Sequence, residues 1–459
     1  MTERKGVNME KLKLSEIVSA VNGSYGYPAD VMVTSISTDT RTIEKDSVFI
    51  ALKGERFDGH DFAQKAMELG AAAVITEKAV PGARCVIVDS TAKALLDLAG
   101  YYRNKFSVKT VGVTGSVGKT TTKDMIALVV SQKYKTLKTE GNHNNEIGLP
   151  QTLFGLDSTF EAAVIEMGMS HFGEISRLSM CAQPDVCVIT NIGVSHIENL
   201  GSQENILKAK LEILDGAKYD APLILSKDDK FLAKAEISSS RKVLYYSVSK
   251  KDCDVYAGGI KSDGEGISFD IHYDGEKYSA RINCLGEHNV KNALAAFCVG
   301  IVLEIPPEDI VKGIALFKPE GMRQNITEKK GVRFIVDCYN AAPDSMKASL
   351  SVLDQAQASG KRYCVLGDML ELGKNSKQYH KTVGEYVASS KADVLYCFGE
   401  NSAFYIEGAV KKGFNEENCK HFQSREDLAE CLKKQLKEGD AVLLKGSRGM
   451  KLEEVYKLL

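Results

Sequence analysis

Residues Val111-Gly-Val-Thr-Gly-Ser-Val-Gly-Lys-Thr-Thr-Thr122 constrain this chain more than any other stretch. An apolar β run feeds two glycines, a lysine and three threonines. That order predicts a strand, a tight turn and a helix. Backbone N–H groups near Gly115 and Gly118 can close around phosphate oxygens. Lys119 adds a mobile positive charge, and Thr120 offers a hydroxyl to Mg²⁺. Val113 stands where the general phosphate-binding loop has its first glycine, so the loop is tighter if Gly115 takes that role. A tight turn with an incidental lysine is the bland alternative, and the threonine run weighs against it. The stretch predicts a nucleotide triphosphate site.

A chain of 459 residues is too long for one ordinary core and implies two to four domains. With 44% hydrophobic and 26% charged residues, the composition is globular. The net charge of −2 gives no broad attraction to nucleic acid or to a membrane surface. Eleven scattered cysteines form no Cys-x-x-Cys pair, which suits buried free thiols in a reducing compartment. Met1–Asn8 is polar, and no segment has the length and apolarity of a membrane span. The expectation is a cytoplasmic protein.

Three blocks are visible: residues 1–106, 107–323 and 324–459. The first has short β pieces at 48–52, 72–76 and 86–88 between helical stretches at 61–69 and 92–103. The second alternates β runs at 110–114, 162–166, 186–190 and 223–225 with helix patterns, which implies a parallel sheet. It ends in a β-rich piece, 255–285, with turn signals at Asp263-Gly264 and Asp274-Gly275, and then a helix over 289–303. The third has strands at 334–336, 364–366, 394–398 and 441–444 with helices between. It predicts a second, smaller doubly wound sheet.

Glu166 ends an apolar strand, where the carboxyl edge of a parallel sheet places ligand-binding groups. It is a candidate Mg²⁺ ligand or an ordinary strand-end acid. His196 follows the next apolar strand and either contacts a second cation or makes ordinary hydrogen bonds. Lys210, on a helix predicted over 204–214, reads by default as a surface salt-bridged residue. If its neutral amine captured CO₂, the carbamate would be an anion able to bridge metal ions, and burial favours that by lowering the amine pKa.

The set of motifs resembles the Mur ligases, which build the peptide of peptidoglycan. It comprises Thr114-Gly-Ser-Val-Gly-Lys-Thr-Thr121, Glu166-Met-Gly168, Asn191-Ile-Gly-Val-Ser-His196, Ala209-Lys-Leu-Glu-Ile213, Gly286-Glu-His-Asn-Val-Lys-Asn-Ala-Leu294 and Gly321-Met-Arg323. The tighter phosphate loop is this family's own variant. Further stretches at 53–60, 142–148, 337–343, 366–373 and 445–450 narrow the resemblance within the family. They point to addition of D-alanyl-D-alanine to UDP-N-acetylmuramoyl-tripeptide.

The resemblance implies three α/β domains: a UDP-sugar-binding domain, a central P-loop-type ATPase domain and a C-terminal Rossmann-like domain that receives the acceptor. It implies an ATP-dependent amide-bond ligase working through an acyl phosphate, with two Mg²⁺ ions, a carbamylated lysine and a monomeric state. Carried over by position, ATP falls to Thr114, Gly115, Ser116, Val117, Gly118, Lys119, Thr120, Thr121, Asn289, Asn292, Arg323, Asp337 and Asn340. Lys119, Glu166, His196 and Lys210 become catalytic, with Thr120, Glu166, His196 and carbamylated Lys210 serving the metals. The UDP-sugar-peptide falls to Asp39, Thr40, Arg41, Lys53, Phe57, Asp58, His60, Asn144, Asn145 and Glu146. D-Alanyl-D-alanine falls to Asp368, Glu371 and Arg448. The family commonly reads Asp-x-Tyr-Asn-Ala-Asn-Pro where this chain has Ala342 in place of the second Asn.

Two alternatives stand beside this reading. One is a different amino-acid ligase of the same family. The other is a nucleotide-driven switch that needs no acceptor pocket.

Overall fold

The computed structural model describes residues 9–55, 57–319 and 321–459. The polar stretch Met1–Asn8 therefore lies outside the described residues, as does Arg56 within the 53–60 motif.

The central sheet has nine strands. Thr136–Lys138 forms one edge, followed across the sheet by Ala162–Glu166, Lys109–Thr114, Val186–Ile189, Leu223–Ser226, Val243–Ser247 and Val255–Ser262, all parallel. Ile267–Tyr273 and Glu276–Ile282 then add an antiparallel ribbon. Its turn is Asp274-Gly275, with φ of +51° and +78°, the left-handed pair that a two-residue hairpin favours.

Alternation along the strands sorts side chains to two faces. Val164, Val188 and Ile224 pack under the helices Lys119–Val130 and Glu287–Val302. Ile165, Cys187 and Leu225 face the other way, into a core shared with the first block. That block carries a four-stranded parallel sheet, Ile36–Ser37, Val48–Ile50, Ala73–Thr76 and Cys85–Ile87. Its helix Thr91–Arg103 seals the junction. Tyr102 donates its hydroxyl to Leu156 O (2.7 Å), and buried Arg103 donates to Ala182 O and to Thr110 Oγ1, both at 2.9 Å.

The third block folds around a six-stranded sheet. Asn325–Lys329 runs antiparallel to Val332–Asp337, and Ala441–Lys445, Arg362–Gly367, Val394–Phe398 and Cys419–Phe422 continue in parallel. Four helices, Pro343–Gln355, Ser376–Ala388, Ala403–Lys411 and Arg425–Gln435, cover its two apolar faces. The chain enters this block through Gly321 (φ +68°) and Gln324 (φ +50°), two left-handed residues that reverse its direction.

Candidate active site

The strand Lys109–Thr114 lies between Ala162–Glu166 and Val186–Ile189, so its carboxyl end opens between two other strand ends. The loop that follows bends at Gly115 (φ +152°) and Gly118 (φ +83°). A Cβ on Gly115 would sit 1.9 Å from Thr190 Oγ1, so only glycine fits there. Thr190 Oγ1 and Asn191 Nδ2 both donate to Val117 O, at 2.7 and 2.8 Å. Asn191 takes the N–H groups of Val117 on its side chain and of Ser116 on its carbonyl. Those two N–H groups therefore brace the loop rather than face a ligand. The donors left for phosphates are the first N–H groups of the helix Lys119–Val130, which begins its own ladder at Thr122 N to Gly118 O.

Glu166 is buried at the end of its strand. Its Oε2 accepts from Thr120 Oγ1 at 2.8 Å and its Oε1 from Asn144 Nδ2 at 2.7 Å. Lys119 folds back to donate to Gly115 O at 2.8 Å. Burial pushes its pKa down, Glu166 opposes that shift, and Arg323 adds to it.

Lys210 is not the surface lysine its sequence suggests. On the helix Gln203–Leu211 it is 2% exposed, and burial drives its amine well below the ordinary lysine range, with Lys119 adding repulsion. His196 adopts φ +61°. Burial, then Lys119 and Lys210, push its imidazole down to about 4. Its Nδ1 lies 2.9 Å from Glu371 Oε2 of the third block, without the angle of a hydrogen bond.

A cavity of about 660 Å³ joins the central and third sheets and takes in Lys119, Thr120, Glu166 and His196 together with Arg323, Asp337, Asn340 and Lys445. Asp337 and Lys445 end neighbouring strands in register, and Lys445 Nζ donates to Asp337 Oδ2 at 2.6 Å and to Asn340 O at 3.1 Å. Ser349 donates to the same carboxylate oxygen. Arg323 stacks 3.9 Å over Tyr339. Asn289 and Asn292 are buried at 2% and 7% exposure and form a ladder rather than a helix cap. Thr122 Oγ1 donates to Asn292 Oδ1, Asn292 Nδ2 to Asn289 Oδ1, and Asn289 Nδ2 to Gln324 Oε1.

The remaining candidates lie around this cavity. Asn145 lines it, and its Oδ1 accepts from Ile147 N and Gly148 N. Glu146 pairs with Arg177. In the first block, Asp39 caps the turn Thr40–Thr42 and holds Arg41 through both carboxylate oxygens. His60 is buried, set between Asp58 Oδ1 (2.5 Å) and Glu77 N (2.9 Å), so it shapes the loop from within. The backbones of Lys53 and Asp58 pair in an isolated antiparallel bridge, while Phe57 stands 63% exposed. Asp368 is buried, with Oδ2 accepting from Asn401 N at 3.2 Å and Oδ1 unpartnered. Arg448 donates to Glu453 Oε1 at 2.5 Å and reaches Met322 Sδ at 3.1 Å.

Sequence reasoning missed Asn191 and Lys445 as individual residues. Each lies at or just beyond an apolar strand's carboxyl end, the signal that singled out Glu166. At Ala342 the lost Asn is a lost cap: Ala342 is the N-cap of the helix Pro343–Gln355, and Ser345 Oγ accepts from its N–H at 2.9 Å.

Comparison with known proteins matches this architecture along its length. Family models match residues 32–103 (Mur ligase family, catalytic domain), 113–300 (Mur ligase middle domain) and 322–448 (Mur ligase, glutamate ligase domain). The UDP-N-acetylmuramoyl-tripeptide–D-alanyl-D-alanine ligase of Bacillus subtilis is 42% identical, over 98% of both chains. That of Escherichia coli is 33% identical over 98% of this chain and 99% of its own. A MurF crystal structure from Acinetobacter baumannii superposes with TM-score 0.91 at 32% identity, covering 98% of this chain and 99% of that one. MurF from Thermotoga maritima in complex with ADP gives 0.83 at 31% identity, covering 92% and 96%. The phosphate loop, the strand-end acid and the facing third sheet thus occur in a chain that belongs to the Mur ligase family.

Proposed function

We propose that this protein joins D-alanyl-D-alanine to UDP-N-acetylmuramoyl-tripeptide with hydrolysis of ATP to ADP and phosphate, the step that completes the pentapeptide for peptidoglycan. The observation that carries the reading is the single cavity faced by the phosphate loop on one side and by Arg323, Asp337 and Lys445 on the other. It gives a nucleotide and an acceptor one meeting place, which a simple switch does not need. Full-length likeness to curated ligases of this name supports it.

The tripeptide carboxylate attacks the γ-phosphorus of ATP, and the bond to the β–γ bridging oxygen breaks to release ADP. The amine of the dipeptide then attacks the acyl carbon, loses its proton, and phosphate leaves. Two anions must meet in the first step, so cations have to offset their repulsion. Lys119 and the helix N-terminus supply part of that from the loop side, and Arg323 part from the junction with the third block. Asp337 is fit to hold the ribose, and Asn289 and Asn292 the adenine. Asp368 and Glu371 suit the dipeptide's ammonium, and Arg448 its carboxylate.

The site suits magnesium. Among the described residues no three His, Cys, Asp or Glu side chains converge as a metal cage. Magnesium is held by one or two carboxylates plus nucleotide oxygens and water, and Thr120 with Glu166 makes that kind of partial site. Bound there, it would neutralise the transferring phosphoryl group. Glu166, His196 and Lys210 would serve a second ion. Lys210 suits a carbamate because burial lowers its amine pKa, which favours the neutral form that reacts with CO₂.

The domain limits that follow are 1–106 for the UDP-sugar, with Asp39, Arg41 and the Phe57 loop, 107–323 for ATP, and 324–459 for the acceptor. We also read the protein as a cytoplasmic monomer. All eleven cysteines are free, and no described helix is long and apolar enough to cross a membrane.

The deciding experiment is an ADP-release assay with UDP-N-acetylmuramoyl-tripeptide, with and without D-alanyl-D-alanine. Hydrolysis indifferent to both substrates would support a switch instead. Lys210→Ala should be inactive and partly restored by acetate or formate, and full activity in that variant would dismiss the carbamate.

A further inference from the structure

The third residue of the tripeptide carries the carboxylate that reacts, so its side chain begins beside Glu166. Two side-chain chemistries are at issue. Lysine ends in an ammonium. 2,6-Diaminopimelate, the residue in the name of an A. baumannii ligase structure 32% identical to this chain, ends in an ammonium and a carboxylate on one carbon.

Glu146 and Arg177 lie a short step along the chain from residues that line the cavity near Glu166, namely Asn145 and Glu174. Asn144 is hydrogen-bonded to Glu166, and Glu146 follows it by two residues, within about 7 Å along the backbone. On the other side Glu174 lines the cavity, and Arg177 lies three residues on, over the same face of the helix Glu174–Ala182. Arg177 Nε donates to Glu146 Oε1, with side chains 50% and 38% exposed, so the pair is open to exchange. Neighbouring acids are committed elsewhere. Glu174 accepts from Ser170 N at 2.6 Å, and Glu212 accepts from Gly173 N and Ser176 N at the helix start.

We propose that the Glu146–Arg177 pair reads the third peptide residue and selects diaminopimelate over lysine. The inference rests on the ligase reading above. A zwitterionic end inserts between the partners: its ammonium takes Glu146, its carboxylate takes the guanidinium fork, and every charge stays matched. A lysine ammonium competes with Arg177 for one carboxylate and offers the guanidinium nothing in return.

The test is the ratio of kcat/KM for the two tripeptides, each with D-alanyl-D-alanine. The wild-type ratio should favour diaminopimelate by roughly tenfold or more. Arg177→Gln should bring the ratio to within about twofold of one, because only the carboxylate contact is lost. Glu146→Gln should lower both values and keep the preference, because both substrates lose their ammonium partner. The ratio is internal to each variant, so partial loss of folded protein does not blur it. A wild-type ratio at or below one, or a preference that survives Arg177→Gln, overturns the proposal. Absence of pentapeptide from either tripeptide overturns the ligase reading itself, and this inference with it.

Discussion

Lys119 shows how one residue's setting changes the prediction made from its identity. As a lysine in a glycine loop it reads as an exposed charge of little consequence for stability. In the fold it lines the cavity half-buried, folded onto Gly115 O, and burial lowers its pKa. Burying an ammonium even in part costs free energy unless an anion meets it, and a triphosphate is the anion proposed for this loop. Lys119→Ala should abolish ADP release while leaving unfolding free energy within about 1 kcal/mol of wild type, or slightly above it. Urea titration beside the turnover assay checks both halves. Retained activity would remove Lys119 from the phosphate site. Lys210 makes the same point more sharply. Nothing in Lys208-Ala-Lys-Leu-Glu212 separates it from its neighbour Lys208, and only the packing of its helix against the sheet encloses it.

At the scale of elements, the phosphate loop is held by the strand beside it. Thr190 and Asn191 clamp Val117, and Gly115 gives Thr190 the room to do so. Gly115→Ala forces the Thr190 hydroxyl away and strains a left-handed backbone. It should weaken ADP binding by roughly a hundredfold and cost about 2–3 kcal/mol of stability. Calorimetric titration with ADP checks the first and thermal unfolding the second. Elements with a continuous apolar run were legible: Ala162–Glu166 and Val394–Phe398 fall where their apolar content puts them. The Asp274-Gly275 hairpin follows from its turn residues alone. Thr136–Lys138, Asn325–Lys329 and Cys419–Phe422 were not legible, because sheet-edge strands bury little and carry polar sequences. The phosphate loop and Glu166 were legible for a local reason, a strand end followed by distinctive chemistry. The Asn289–Asn292 ladder and the Asp337–Lys445 pair were not, since their partners are brought together only by tertiary packing.

Over the whole molecule, the distribution of core decides what can move. The first and central blocks share one continuous apolar core, fastened by Tyr102 and Arg103. The third block has its own two cores, and one of them takes in Leu285 of the central block, with Val194 packed against it. Motion should therefore occur at Gly321–Gln324, with the first two blocks moving as one. Across that junction His196 lies against Glu371, and Gln324 against Asn289 and His288. Small-angle scattering should show a larger radius of gyration without ligands and compaction with a non-hydrolysable ATP analogue and tripeptide. An unchanged radius counts against the hinge. Arg323 sits between the two left-handed residues of that junction, so in the proposed reaction it would reach the nucleotide together with the third block. On the proposed roles, fuel and cargo would be tied to the same gesture: a swing that failed to deliver the third block would also withhold the arginine, and ATP would be spared from idle breakdown.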